Sequence, residues 1–221
     1  VSTTTFTNRT GGTSTGAFAS LNLGTHVGDD PSSVEKNRAI VSSLYGPVQY
    51  MNQVHGDRIA IIEEVTDEAP TADALVTGIP GITLAVLVAD CIPLLLRSDE
   101  VVAAVHVGRK GFINGVTAKV IELMRDMGAQ KILATIGPHI CGSCYEVSKE
   151  MCDQVSASFP EVRSETPDHK PALDLLAGLV KVLKSNEIEI EDQSRCTVES
   201  HDLFSYRRDG VTGRHVGLIS L

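Results

Sequence analysis

The chain has 221 residues, 42% of them hydrophobic, and 28 acidic residues against 19 basic ones give a net charge of −9. That size and apolar content suffice for a sizeable core in one domain, expected to span residues 1–221. The acidic balance, with a pI near 5.2, argues against a nucleic-acid or anionic-membrane surface.

No apolar run reaches the roughly 18 residues of a spanning helix, and the start VSTTTFTNRT lacks a basic region followed by an apolar one. Five cysteines make an odd count in a chain too large to need a disulfide framework, so reduced thiols and a cytoplasmic location are expected.

Residues 3–7 alternate weakly, as an edge strand does, and Arg9 then leads into a loop at Gly11 and Gly12. Asp30 before Pro31 is a helix start, with Val34, Ile40, Val41 and Leu44 on one face before Gly46 and Pro47 stop the helix. Short strands are predicted over residues 48–51 and 58–62, which puts His55 of Gln53-Val54-His55-Gly56 on a turn. Residues 72–77 return towards the core with Asp73 among them.

Residues 82–111 dominate the pattern. Residues 82–88 and 101–107 are apolar and β-branched without alternation, as in strands buried on both faces. Cys91 lies just past the first run and His106 near the end of the second, and the two side chains come close if those strands are neighbours. Gly108 and Gly111 flank Arg109 and Lys110, and helical spacing follows from Val116 to Met127. A helix start beside two bases is a candidate anion site, although neither G-x-G-x-x-G nor a Walker spacing is present.

A strand is expected over residues 131–136, then His139 and the pair Cys141 and Cys144. A C-x-x-C pair fits a redox dithiol or half of a structural zinc site, but no second C-x-x-C occurs. Helices are predicted over residues 148–159, with Cys152 packed inside, and 172–184, opened by Pro171. A strand over residues 195–199 and a turn at Asp209 and Gly210 lead to a last apolar strand.

These motifs together resemble the laccase-domain family, also known as multicopper polyphenol oxidases, peptidoglycan editing factors and purine nucleoside phosphorylases of that type. The likeness runs through Arg9-Thr10-Gly11-Gly12, SLNLG at 20–24, GDDPSSVEKNR at 28–38, QVHG, ADALVT, ADCIPLLL, AAVHVG, IGPHICGSCYEV and FSYRRDGVTGR. One departure stands out. The family usually reads HAGWRG where this chain has His106-Val107-Gly108-Arg109-Lys110-Gly111, so Arg109 replaces a tryptophan.

The resemblance implies a zinc-binding and catalytic trio, which maps onto His55, Cys91 and His106, with copper as a second possibility. Two imidazoles and one thiolate suit zinc and leave a fourth position open, as catalytic sites do. Gaps of 36 and 15 residues match no local zinc motif, so spacing by itself does not reveal the trio. The fold expected is α/β, a layered sandwich with mixed sheets in the middle, helices outside and the site at one rim. Arg9, Lys110, Arg109 and Tyr145 are candidates for orienting a substrate.

The function implied first is a zinc-dependent purine nucleoside enzyme. It would phosphorolyse adenosine, inosine, guanosine and methylthioadenosine and would deaminate adenosine, with phosphate entering near Arg9 or Lys110. A copper-dependent polyphenol oxidase is an alternative that seven histidines serve poorly. A second alternative is an editing hydrolase of peptidoglycan precursors, with Cys91 as nucleophile and His106 or His55 as base, or with a zinc water; a module that binds without catalysis is a third. The partners expected are a small nucleoside and phosphate, with neither nucleic acid nor membrane, on a monomer or weak homo-oligomer.

Overall fold

The computed structural model describes residues 3–221. Twelve strands and six α-helices follow in chain order: β1 (Thr3–Phe6), α1 (Pro31–Tyr45), β2 (Val48–Gln49), β3 (Ile59–Ile61), β4 (Ala74–Thr77), β5 (Thr83–Val88), β6 (Ile92–Arg97) and β7 (Val102–Val107). Then come α2 (Arg109–Ile113), α3 (Val116–Asp126), β8 (Leu133–Ile136), α4 (Lys149–Ser158), β9 (Arg163–Glu165), β10 (Pro171–Leu173), α5 (Leu175–Ser185), β11 (Glu189–Asp192), α6 (Tyr206–Asp209) and β12 (His215–Ser220).

The strands form a four-stranded sheet ordered β1-β12-β5-β2, a six-stranded sheet ordered β11-β8-β6-β7-β4-β3, and a small β10-β9 pair. Side chains alternate across each strand, and the alternation assigns the layers. Leu84, Val86 and Val88 of β5 pack with Val102 and Ala104 of β7 between the two sheets. Ala85 and Leu87 turn to the other side, into a cluster with Val41 of α1. Ala103, Val105 and Val107 face away from the four-stranded sheet, onto Val116, Val120, Leu179 and Leu183 of α3 and α5. The order is helix, sheet, sheet, helices, which is the layered sandwich expected.

The structure corrects the pairing of the two apolar runs. β5 and β7 lie in different sheets and face each other across the core, while β7 pairs with β6, with Pro93 opposite His106. β6 is a third apolar segment of this region, not among the two runs expected as strands, and a proline within it is unusual for a central strand. Pro93 is tolerated because it sits at the strand start, before the register with β8 begins at Leu94.

Three further differences have local causes. Residues 172–173, expected as helix, belong to β10, and α5 begins only after Asp174, whose carboxylate accepts the Ala177 amide. Residues 195–199 form a turn held by one bridge from Cys196 to His139 rather than a strand. Met51 lies outside β2, which is two residues long. Among the described residues no helix is long and apolar enough to cross a membrane.

Candidate metal and substrate site

The alternation that builds the core also aims the site. His106 shares the face of Val102 and Ala104, and Asp73, just before β4, shares the face of Leu75, so both point between the sheets at their rim. His106 and Asp73 are buried. The Asp73 Oδ1 atom is 2.8 Å from Nδ1 of His106. A carboxylate can only accept, so this contact puts the ring proton on Nδ1 and leaves the Nε2 lone pair for a ligand.

The same carboxylate organises the turn that carries His55. Oδ1 accepts the His55 amide at 2.9 Å and Oδ2 accepts the Gly56 amide at 2.7 Å. His55 has a φ of 60°, a left-handed conformation that a non-glycine residue adopts at some energy cost, and these bonds offset that cost. Burial works against the Asp73 carboxylate, but the bonds from His106 and Gly56 hold it below the usual range.

Cys91 follows Asp90, another residue of positive φ, at 110°. The Asp90 carboxylate accepts from Thr197 Oγ1 at 2.6 Å, Ser205 Oγ at 2.7 Å and the Arg207 amide at 2.7 Å, which fixes the turn from both sides. The donor atoms of His55, Cys91 and His106 lie within 4.8 Å of one another. The two imidazoles meet edge to face, with centroids 4.8 Å apart. Gly108 lies against all three: a Cβ there would stand 3.1 Å from His55 Cδ2 and 3.2 Å from Cys91 Sγ.

Burial would raise the Cys91 thiol, yet the charge of His106 and hydrogen bonds from both histidines bring it down to about 6. Burial would lower His106, but Cys91 and Asp73 together lift it to about 9. The two shifts run toward a thiolate at Cys91 beside a protonated His106, whose Nε2 proton metal binding would displace. Three close donors, one already thiolate and one with its tautomer set by a carboxylate, fit a divalent metal with an open position.

The trio opens into a cavity of about 380 Å³, within the range of small-molecule sites. Arg109, Arg207 and Arg214 line it together with Tyr145 and Tyr206. Burial pushes the Tyr145 phenol up while the nearby Arg109 charge opposes that, and the Arg207 guanidinium lies 5.4 Å from the Tyr145 ring centre. Of the substrate-orienting candidates, Arg109 and Tyr145 therefore lie in the cavity. Arg9 and Lys110 are not among its lining residues. Arg9 instead bonds the Ala19 carbonyl at 2.7 Å and stacks over Phe204, and Lys110 is exposed on α2.

The model of the multi-copper polyphenol oxidoreductase laccase family matches residues 3–221. The chain belongs to that family. It is 42% identical to a purine nucleoside phosphorylase of Corynebacterium glutamicum over 228 residues, covering 98% of this chain and 93% of the relative. A purine nucleoside phosphorylase of Streptomyces coelicolor is 43% identical, with 98% and 94% covered. Among solved structures of the laccase family's fold, a Neisseria meningitidis protein superposes with a TM-score of 0.91 at 37% identity, over 100% of this chain and 94% of that one. A Geobacillus stearothermophilus protein gives 0.88 at 30% identity, over 99% and 91%.

Sequence reasoning singled out neither Asp73 nor Arg214 as members of the site. Asp73 carries a signal that was available: a charged residue in an otherwise apolar strand run, buried only if paired. Arg214, the residue just before β12, and Arg207 of α6 also line the cavity and were not singled out, and no local pattern announces either.

Proposed function

We propose that this chain is a metal-dependent purine nucleoside phosphorylase that cleaves adenosine, inosine, guanosine and methylthioadenosine, and that it also deaminates adenosine. One observation carries the reading. In a chain of net charge −9, three guanidinium groups line the same 380 Å³ cavity as the His55, Cys91 and His106 trio. A cavity that gathers cations against the global charge suits an anionic co-substrate such as phosphate, since arginine forks match phosphate oxygens. The names of the Corynebacterium and Streptomyces relatives agree with it.

In phosphorolysis a phosphate oxygen forms a bond to ribose C1′ as the C1′–N9 bond breaks. Its electron pair leaves with the purine, which takes up a proton. The products are the free base and ribose 1-phosphate. Arg109, Arg207 and Arg214 would hold the phosphate against the ribose. The phenol of Tyr145, flanked by Arg109 and Arg207, would donate a hydrogen bond to the nucleoside. In deamination water adds at purine C6 and ammonia leaves.

His55, Cys91 and His106 would hold the metal, zinc before copper, and it would supply Lewis acidity at the inner end of the cavity. Asp73 keeps His106 in the tautomer with a free Nε2 and holds the His55 turn in place.

Adenosine separates the two reactions. Supplied with phosphate, the zinc-loaded chain is expected to yield adenine with ribose 1-phosphate, alongside inosine. Without phosphate only inosine should form. Adenine released at the same rate without phosphate would overturn the phosphorylase reading.

A further inference from the structure

A second cluster of possible metal ligands includes Cys141 and Cys144, between the cavity-lining residues Ile140 and Tyr145. Cys141, Cys144, Cys196 and Glu199 bring three sulfurs and a carboxylate oxygen within 4.8 Å of one another. No disulfide joins these cysteines. The C-x-x-C pair lacks a second C-x-x-C in sequence, and the fold supplies the missing half as C-x-x-E from a segment 52 residues beyond Cys144.

The two halves are held in register by the backbone. His139 and Cys196 form a parallel bridge, with the His139 amide bonded to Arg195 O at 3.0 Å and the Thr197 amide to His139 O at 3.0 Å. The Cys141 amide points at Cys196 Sγ at 3.5 Å, and Cys144 Sγ lies 3.8 Å from Glu199 Oε1. Ligands about 2.3 Å from a tetrahedral zinc stand roughly 3.8 Å apart, which is the separation of Cys144 Sγ and Glu199 Oε1. The Arg208 guanidinium grips the ligand-bearing turn through the carbonyls of Thr197 and Ser200 at 2.8 and 3.1 Å. The same guanidinium is ion-paired with the Asp209 carboxylate at 2.8 Å, so its part here is to hold the turn in place.

We infer that Cys141, Cys144, Cys196 and Glu199 form a second, structural metal site that takes a zinc-type divalent cation. Four protein ligands close the coordination sphere, unlike the three-ligand trio. A disulfide between Cys141 and Cys144 would use two of the donors and leave Cys196 and Glu199 without a role. The site's place in the fold gives it a purpose. The bound ion would tie the segment ending in Tyr145, which lines the cavity, to the segment whose Thr197 anchors Asp90 beside Cys91.

The test is zinc content of the full chain, purified under reducing conditions, loaded with zinc and dialysed. The parent is expected to retain two equivalents. Cys91→Ala should retain one, and Cys196→Ser should also retain one. Glu199→Gln, at an exposed position that should leave folding undisturbed, should weaken chelator-resistant binding of one equivalent at least tenfold. Cobalt loaded into Cys91→Ala should give tetrahedral visible bands and thiolate-to-cobalt absorption.

One equivalent in the parent, lost in Cys91→Ala and kept in Cys196→Ser, would overturn the second site. So would a Cys91→Ala protein without cobalt–thiolate absorption, or one with Cys141 and Cys144 oxidised to a disulfide under those conditions. One equivalent kept in Cys91→Ala and lost in Cys196→Ser would support the second site while removing the metal from the trio.

Discussion

Asp73 shows how much of the site one side chain can hold. Its carboxylate sets the His106 tautomer and ties down the left-handed turn at His55, so two of the three proposed metal donors depend on it. Asp73→Asn keeps the size but loses the charge and the acceptor-only character. It is expected to lower metal affinity of the trio about 10- to 100-fold, read by chelator competition; unchanged affinity would show that the histidines are held by other contacts.

Arg109 stands where the resemblance in sequence leads one to expect tryptophan, and it lines the cavity with Tyr145. Arg109→Trp is expected to raise the phosphate concentration for half-maximal phosphorolysis several-fold, with metal content unchanged. A superimposable phosphate curve would remove Arg109 from phosphate binding.

At the scale of elements, β12 carries a buried histidine outside the candidate metal trio. His215 faces the space between the sheets, on the side of Ile219. Burial is the main cause that pushes it down to about 4, with the Arg214 charge assisting and the Pro138 carbonyl opposing. Above pH 6.5 the ring is neutral folded and unfolded, so it adds no pH dependence. Between pH 6.5 and 4 the unfolded chain takes up a proton that the folded chain refuses. Stability therefore falls with pH there, by about 1.4 kcal/mol per unit and about 3 kcal/mol in all. His215→Leu should flatten the urea-unfolding free energy across this window, and a slope equal to the parent's would place the acid sensitivity elsewhere.

The elements also show where sequence reasoning reaches its limit. The helix from Pro31 was legible because Asp30 caps it, accepting the Ser33 amide, and β5 and β7 were legible as unbroken apolar runs. β6 carries Pro93 and was not among the expected runs, and the start of α5 was hidden by a strand that ends one residue before its cap. Register between distant segments leaves no trace in local pattern. The bridge of His139 to Cys196, which completes the proposed second metal-binding set, could not be read from a C-x-x-C pair alone. The trio likewise followed from resemblance to a family, because its members come from a turn, a post-strand loop and a strand end.

The whole molecule joins these scales by facing two sheets against each other, so that strand ends remote in sequence share one rim. The cavity at that rim holds the trio, three arginines and Tyr145, and the account assigns both reactions on nucleosides to this one place. Cys91 and Cys152 provide the contrast, since Cys152 is buried in α4 with its thiol near the Ala172 carbonyl, remote from the cavity lining. The decisive measurement is the product balance from inosine with zinc-loaded protein, with and without phosphate, in the parent, Cys91→Ala and Cys152→Ala. Hypoxanthine and ribose 1-phosphate should form in equal amounts only when phosphate is present, fall at least 100-fold in Cys91→Ala, and stay within a few-fold of the parent in Cys152→Ala. Phosphate-independent release of free ribose, or a Cys91→Ala protein as active as the parent, would contradict the account.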